Sequence, residues 1–392
     1  MKNIKEEENL GNKKILLRLD LNVPIVDNKI TDTTRIDKIL PTLEFLINQN
    51  TKIIIISHVG RPKGKIINEL SLKLICEELN KKLNQNVKLV SKNVRDINSK
   101  ELFNNNDERI IMLENIRFYS EEEKNNQQFA KHLATLADIY VNDAFSCSHR
   151  AHASIHEITK FLPSYSGLQF DLEVSALKKI TSEIKKPITC IIGGSKVSTK
   201  INIIKNLIPK FDNIIIVGGM ANNIIKFMGN NIGKSLHEEN SDKIIEEIFL
   251  LSETTNCKII YPKDVLVGKS LDGDPQIKEL NEITSDEMIL DIGPKTIYNI
   301  NNVIDKSNSI LWNGPAGYFE NQNFANGSIN IANKIIENNK SNKIYSVAGG
   351  GDTVSLINSL NAINDFNFVS TAGGAFLEYL EGKELPGIKA LN

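Results

Sequence analysis

The chain reads as an α/β protein of two doubly wound parallel-sheet domains joined by a helix. Three observations predict this. Short β-rich runs alternate with longer helical patterns along all 392 residues, the runs fall into two series, and polar residues collect directly after the runs. A composition of 41% hydrophobic and 24% charged residues is that of an ordinary globular protein with a large core.

The first series comprises 14–19, 53–57, 110–113 and 139–141, with helical patterns between them. The second comprises 188–192, 214–217, 258–261, 288–291, 310–312, 344–348 and 368–370. Between them, LQFDLEVSALKKITSEI at 168–184 places apolar residues at helical spacing after Pro163 and Gly167. The domain boundary is expected in this helix, giving a first domain at 1–167 and a second from 185, opened by Pro187. No internal repeat stands out beyond an asparagine bias.

A formal net charge of −1 gives no general attraction to nucleic acid or to an anionic membrane, so any basic site must be local. The start, MKNIKEEENLG, lacks the apolar stretch of a signal peptide, and apolar runs such as 53–56 are too short to span a bilayer. A cytoplasmic location is expected. The four cysteines lie far apart with no CxxC pair, which suggests buried thiols rather than disulfides or a zinc site.

Seven arginines stand against forty lysines, and every arginine falls at or before Arg150. An arginine retained in so lysine-rich a chain is a candidate for planar, two-pronged recognition of carboxylate or phosphate. Ligands of open α/β sheets bind at the carboxyl ends of strands. There the first domain carries Asp20 and Asn22, then Arg35, His58 with Arg61, Arg117, and Arg150. Together they make a basic cup suited to a small polyanion. His149 and His152 have no evident third metal ligand and read as supporting residues.

The strand ends of the second domain carry glycines, lysines and one acid instead. They are Gly193-Gly194-Ser195-Lys196 with Lys200, Gly218-Gly219, Trp312-Asn313-Gly314, Glu320, Gly349-Gly350-Gly351-Asp352-Thr353, and Gly373-Gly374. In KIYSVAGGGDTVS an apolar run meets three glycines and then a helical pattern. Such a turn lets backbone N–H groups approach a phosphate, aided by about half a unit of helix-dipole charge. Asp352 repels phosphate itself but can hold Mg²⁺. GGGDT alone is equally a turn with a helix cap; its companions decide for a nucleotide face. Lys196 and Lys200, at i and i+4, are expected on one side of a helix start, pointing at one ligand. The segment 229–235 imitates a phosphate-binding P-loop but has Met228 where the first glycine belongs. No GxGxxG follows the first run, which disfavours a dinucleotide-dependent oxidoreductase of doubly wound fold.

RLDLNVP, SHVGRPKG, LENIRF, NDAFSCSHRAHAS, GGSKVSTK, LWNGPAGYFE, AGGGDTV and TAGGAFLEYLEGKELPG, in this order, resemble the phosphoglycerate kinases from Leu17 to Ile388. The resemblance implies a reversible phosphotransfer between ATP and 3-phosphoglycerate, in a two-lobed Rossmann-like enzyme that closes on its substrates. It implies a 3-phosphoglycerate site at Asp20, Asn22, Arg35, His58, Arg61, Arg117 and Arg150. The implied nucleotide site holds Lys200, Gly219, Asn313, Glu320, Gly350, Gly351, Asp352 and Thr353, with Glu320 at the ribose and Asp352 at Mg²⁺. Arg35, Lys196, Gly373 and Gly374 would act on the phosphoryl group in flight. The family's domains would map to 1–167 for 3-phosphoglycerate and 185–376 for ATP or ADP, with 377–392 returning to the first domain. A monomer is implied, with only small-molecule partners. The chain departs from the family at Asn223-Ile224, commonly Thr-Phe, and at Ala372, often glycine. A scaffold that kept the fold without the activity would have shed these charged residues.

Overall fold

The computed structural model describes residues 1–103 and 108–392. Its contacts form two compact units, Met1–Val174 with Glu384–Asn392, and Ser175–Lys383.

The first unit is built on strands β1 (Lys14–Leu19), a short hairpin of β2 (Ile25–Val26) and β3 (Lys29–Ile30), β4 (Lys52–Ile56), β5 (Val87–Val90), β6 (Ile110–Leu113), β7 (Ile139–Asp143) and β8 (Ser164–Ser166). Six of them form one parallel sheet in the order β5-β6-β4-β1-β7-β8. Strands β1 and β4 are nearly unbroken aliphatic runs because both faces of this sheet are covered. Leu17, Leu19, Ile53 and Ile55 enter the core on one face; Leu16, Ile54 and Ile56 enter the core on the other. That split follows from the two-residue period of a strand. The covering helices are α1 (Thr34–Asn48), α2 (Lys73–Leu83), α3 (Ser120–Glu123) and α4 (Gln127–Ala134).

Helix α5 (Leu168–Thr181) carries the chain from one unit to the next, the division falling at Val174. The second unit holds β9 (Ile188–Ile192), β10 (Asn213–Ile216), β11 (Lys258–Ile260), β12 (Asp264–Gly268), β13 (Gln276–Glu279), β14 (Met288–Ile292), β15 (Ser309–Asn313), β16 (Tyr345–Gly349) and β17 (Phe368–Ser370). Its parallel sheet runs β11-β10-β9-β15-β16-β17. Helices α6 (Ile201–Leu207), α7 (Gly219–Phe227), α8 (Asp242–Thr255), α9 (Pro294–Asp305), α10 (Asn326–Lys340), α11 (Gly351–Ser359) and α12 (Gly374–Leu380) complete it. The fully buried Trp312 anchors the core between β15 and the helices.

The run at 288–291 does not join the parallel sheet. As β14 it pairs with β12, itself paired with β13, in a separate antiparallel sheet with its own small core of Ile225, Ile232, Val265, Val267 and Ile283. An apolar run of that length fits either sheet, and pairing is a long-range choice. The last segment, including α13 (Pro386–Lys389), belongs to the first unit, where Gly387 N–H donates to Ser148 O at 2.8 Å. It joins that unit from Glu384 rather than from 377, because Phe376 and Leu380 bury themselves in the second unit, where Asn206 Nδ2 donates to Leu380 O at 2.7 Å. Among the described residues no helix is long and apolar enough to cross a membrane.

Candidate active site

In the first unit the residues after β1, β4, β6 and β7 meet at the carboxyl edge of the sheet. Asp20, buried just past β1, accepts from Arg35 Nη1 at 2.6 Å and from the Ser146 hydroxyl. Burial works to raise the Asp20 carboxyl, but Arg35, with the Ser146 hydroxyl, outweighs it and pulls the group down to about 2. Its other oxygen accepts from Asn22 N–H at 3.1 Å, and Asn22 Oδ1 in turn accepts from Gly60 N–H at 2.9 Å. Arg117 Nη1 donates to Gly60 O at 3.1 Å, while its buried Nε donates no hydrogen bond, Glu123 standing 3.8 Å away. Arg61 is exposed beside Gly60 with no ion-pair partner among the described residues. Arg150 is exposed and donates through Nε to His149 Nε2 at 3.2 Å.

His58 is 3% exposed, and burial, then Arg18, hold its imidazole well below its ordinary range. The ring is therefore neutral. Arg18 itself was not expected in the site. It lies inside β1, fully buried, with Nη2 3.2 Å from His58 Nδ1. The sequence signal was an arginine within an aliphatic strand of a lysine-rich chain, a charge that no strand buries without partners. Ser146, likewise unanticipated, holds Asp20 from the loop after β7.

In the second unit a cleft of about 520 Å³ opens at the carboxyl ends of the strands. Its glycine wall is Gly194, Gly218, Gly219 and Gly317; Leu236, Pro315 and Tyr318 add apolar surface, and Asp291, Glu320 and Asp352 are its acids. Beside it, Lys200 Nζ donates to Gly193 O at 2.5 Å and to Asn313 Oδ1 at 2.6 Å, and Asn313 Nδ2 donates to Gly349 O at 2.7 Å. Burial lowers the Lys200 ammonium to about 8, against the pull of Cys190 and Asp352. Thr353 is buried, its hydroxyl accepting from Gly314 N–H at 2.7 Å, which ties the start of α11 to the loop after β15.

Gly350 shows why this loop needs glycine. Its φ is +98°, and a Cβ would stand 2.5 Å from Asn313 Nδ2. Gly351 and Asp352 follow, exposed, in the first turn of α11. Asp352 has no ion-pair partner among the described residues, and an exposed carboxylate after a glycine turn offers the hard oxygen donor that Mg²⁺ takes. Gly373, at φ +56°, precedes α12, and Gly374 is exposed as its first residue. Asn223, one of the departures, is buried and ties the start of α7 to the next segment, accepting from Glu238 N–H at 2.8 Å.

The two lysines do not share a helix face. Helix α6 begins only at Ile201, with Lys200 in the cap position, so Lys196 lies in the preceding turn, exposed, while Lys200 turns inward. The glycine pair at 193–194 lets this loop pack closely against the one after β15: a Cβ on Gly314 would meet Gly193 O at 2.2 Å.

The family model for phosphoglycerate kinase matches residues 4–383. The chain belongs to the phosphoglycerate kinase family. The phosphoglycerate kinase of Wolbachia pipientis wMel is 46% identical over 99% of this chain and 98% of its own, and that of Rhizobium leguminosarum is 42% identical over 100% and 98%. Among solved structures, phosphoglycerate kinase from Coxiella burnetii has a TM-score of 0.90 at 38% identity, covering 98% of this chain and 97% of its own. The enzyme from Pyrococcus horikoshii OT3 has a TM-score of 0.84 at 27% identity, covering 100% and 98%. Phosphoglycerate kinases use ATP and ADP as co-substrates, so the family match also makes this chain a kinase. The oxidoreductase alternative is not favoured.

Proposed function

We propose that the chain transfers a phosphoryl group reversibly between ATP and 3-phosphoglycerate, giving ADP and 1,3-bisphosphoglycerate. The observation that carries this reading is that the two strand-end sites differ in kind. One is a rim of Asp20, Asn22, Arg35, His58, Arg61, Arg117 and Arg150 sized for a compact polyanion; the other is a glycine-walled cleft with Lys200, Asn313 and Asp352 beside it. The rim takes 3-phosphoglycerate, its arginines forking onto phosphate and carboxylate. The cleft takes the nucleotide, with Gly219 against the base, Glu320 at the ribose, and Gly350, Gly351 and Thr353 shaping the phosphate turn.

A carboxylate acceptor is already ionised at neutral pH, so the reaction needs no general base. Catalysis then rests on positioning and on cations around a highly charged transition state. Arg35 and Lys196 supply two of those cations, and the backbone N–H groups at Gly373 and Gly374 supply further dipoles. Asp352 would hold Mg²⁺, which neutralises phosphate oxygens when bound. In-line transfer requires both ligands to meet, so the reading includes a closing step between the units. The enzyme works as a monomer in the cytoplasm.

The test is ATP consumption with and without 3-phosphoglycerate, alongside separate titrations of each ligand. ATP loss that depends on 3-phosphoglycerate, with one site for each ligand, is expected. Consumption indifferent to 3-phosphoglycerate would sink the assignment.

A further inference from the structure

Behind the acceptor rim lies a chain of buried polar groups that reaches His58 from three separate elements. Glu122, in α3 and fully buried, accepts from the Ser154 hydroxyl at 2.6 Å and from Ser154 N–H at 2.9 Å. The Ser154 oxygen accepts from Arg18 Nε at 3.0 Å, and Arg18 Nη1 donates to Leu19 O. With Nε and Nη1 so engaged, the guanidinium plane is fixed, and Nη2 arrives 3.2 Å from His58 Nδ1 and 3.7 Å from Cys147 Sγ.

A guanidinium is donor-only and stays charged in proteins. The ring nitrogen facing it must therefore be the acceptor, which leaves the other nitrogen to carry the proton. We propose that Arg18, locked by Glu122 and Ser154, is a positioning residue that fixes His58 as the Nε2–H tautomer, a neutral single donor for an oxygen of the acceptor substrate. The last clause rests on the acceptor-site reading above; the tautomer does not. Protonating His58 would bring an Nδ1–H against Arg18 Nη2–H. The other charged or titratable groups around it are Arg35, Arg117, Asp20 and Cys147, and only the Asp20 charge favours a cationic ring. The rim thus takes its positive charge from arginines and a directed hydrogen bond from a neutral ring.

The test is nitrogen NMR of the full chain labelled with ¹⁵N-histidine, the His58 signal being assigned by its loss in His58→Gln. The expected result near neutral pH is the Nε2–H form. An Nδ1–H ring or a cationic ring there overturns the proposal. The charge-balanced double variant Arg18→Met with Glu122→Gln removes the donor. We expect mixed tautomers, a His58 titration moved up by about one pH unit or more, and KM for 3-phosphoglycerate raised about tenfold with the nucleotide KM unchanged. A double variant that folds and leaves tautomer, midpoint and KM where they were also overturns it. Should that variant not fold, the wild-type tautomer decides alone. Adding 3-phosphoglycerate to the wild type tests the underlying reading separately: a His58 signal that ignores the ligand removes the rim as its site, whatever the tautomer.

Discussion

The rim of the first unit and the glycine-walled cleft of the second are the two sites proposed for polyanions, yet they are made of different material. The rim is side chain: guanidinium groups reach over a buried carboxylate, with Arg35 on Asp20 at 2.6 Å and Arg117 bonded back to Gly60. The cleft instead sets the glycines Gly194, Gly218, Gly219 and Gly317 against apolar side chains such as Leu236, Val265, Met288 and Phe319, and the second unit contains no arginine at all. The difference teaches that charge can be met in two ways. A fork of planar donors suits a compact ligand held in one orientation, whereas a glycine turn at a helix start suits a phosphate chain laid along a sheet edge.

The sharpest way to break that comparison is at the moving phosphoryl group, which belongs to neither resting site. Lys196→Ala should lower kcat by about a hundredfold or more while ADP and 3-phosphoglycerate affinities stay near wild type, because a cation placed there acts in the transition state. Steady-state kinetics beside equilibrium titrations check this, and an intact kcat removes Lys196 from the chemistry.

Gly350→Ala tests the glycine turn beside the cleft. The substitution forces an L residue to φ +98° and drives a Cβ within 2.5 Å of Asn313 Nδ2, a strain of about 1–3 kcal/mol. ADP affinity should fall about tenfold with 3-phosphoglycerate binding unchanged, measured by calorimetric titration of each. Arg61→Lys asks the converse of the rim. Keeping the charge but losing the fork should weaken 3-phosphoglycerate by about tenfold and leave ADP alone; equal loss for both ligands contradicts two separate sites.

The smallest effect sharpens the comparison through pH. Burial holds Lys200 at about 8 in the free protein, and bound phosphates favour its charged form. Below pH 8 the lysine is already protonated and ADP affinity should be flat. Above it, binding must draw a proton onto Lys200, so affinity should fall by up to about tenfold per unit. The rim's arginines stay charged, so 3-phosphoglycerate binding should not follow. Parallel titrations from pH 7 to 9.5 separate the two.

Much of this was legible in the residues. Runs such as Lys14–Leu19 and Ile188–Ile192 declare themselves, because a parallel strand covered on both faces must be aliphatic almost throughout. The edge strand Val87–Val90 did not, since its burial is partial and its pattern polar enough to pass for a loop. Asp20, His58 and Asp352 read as candidates because they stand at or just past the ends of such runs. Arg18 did not, because it precedes the strand end and acts from within the sheet. Lys196 and Lys200 were given a common helix face by spacing alone, but that helix begins only at Ile201.

By itself the sequence determined most of the parallel strands, and which motifs stand at their ends, because periodicity and turn chemistry are local and repeat along the chain. Tertiary structure alone decided that Met288–Ile292 pairs antiparallel with Asp264–Gly268, that the return to the first unit begins at Glu384, and that Arg18, Ser154 and Glu122 form one buried chain to His58. Each of these joins residues far apart in number. A buried charge or an apolar edge accepts whatever partner the fold brings within bonding distance, and nothing in the local pattern names that partner in advance.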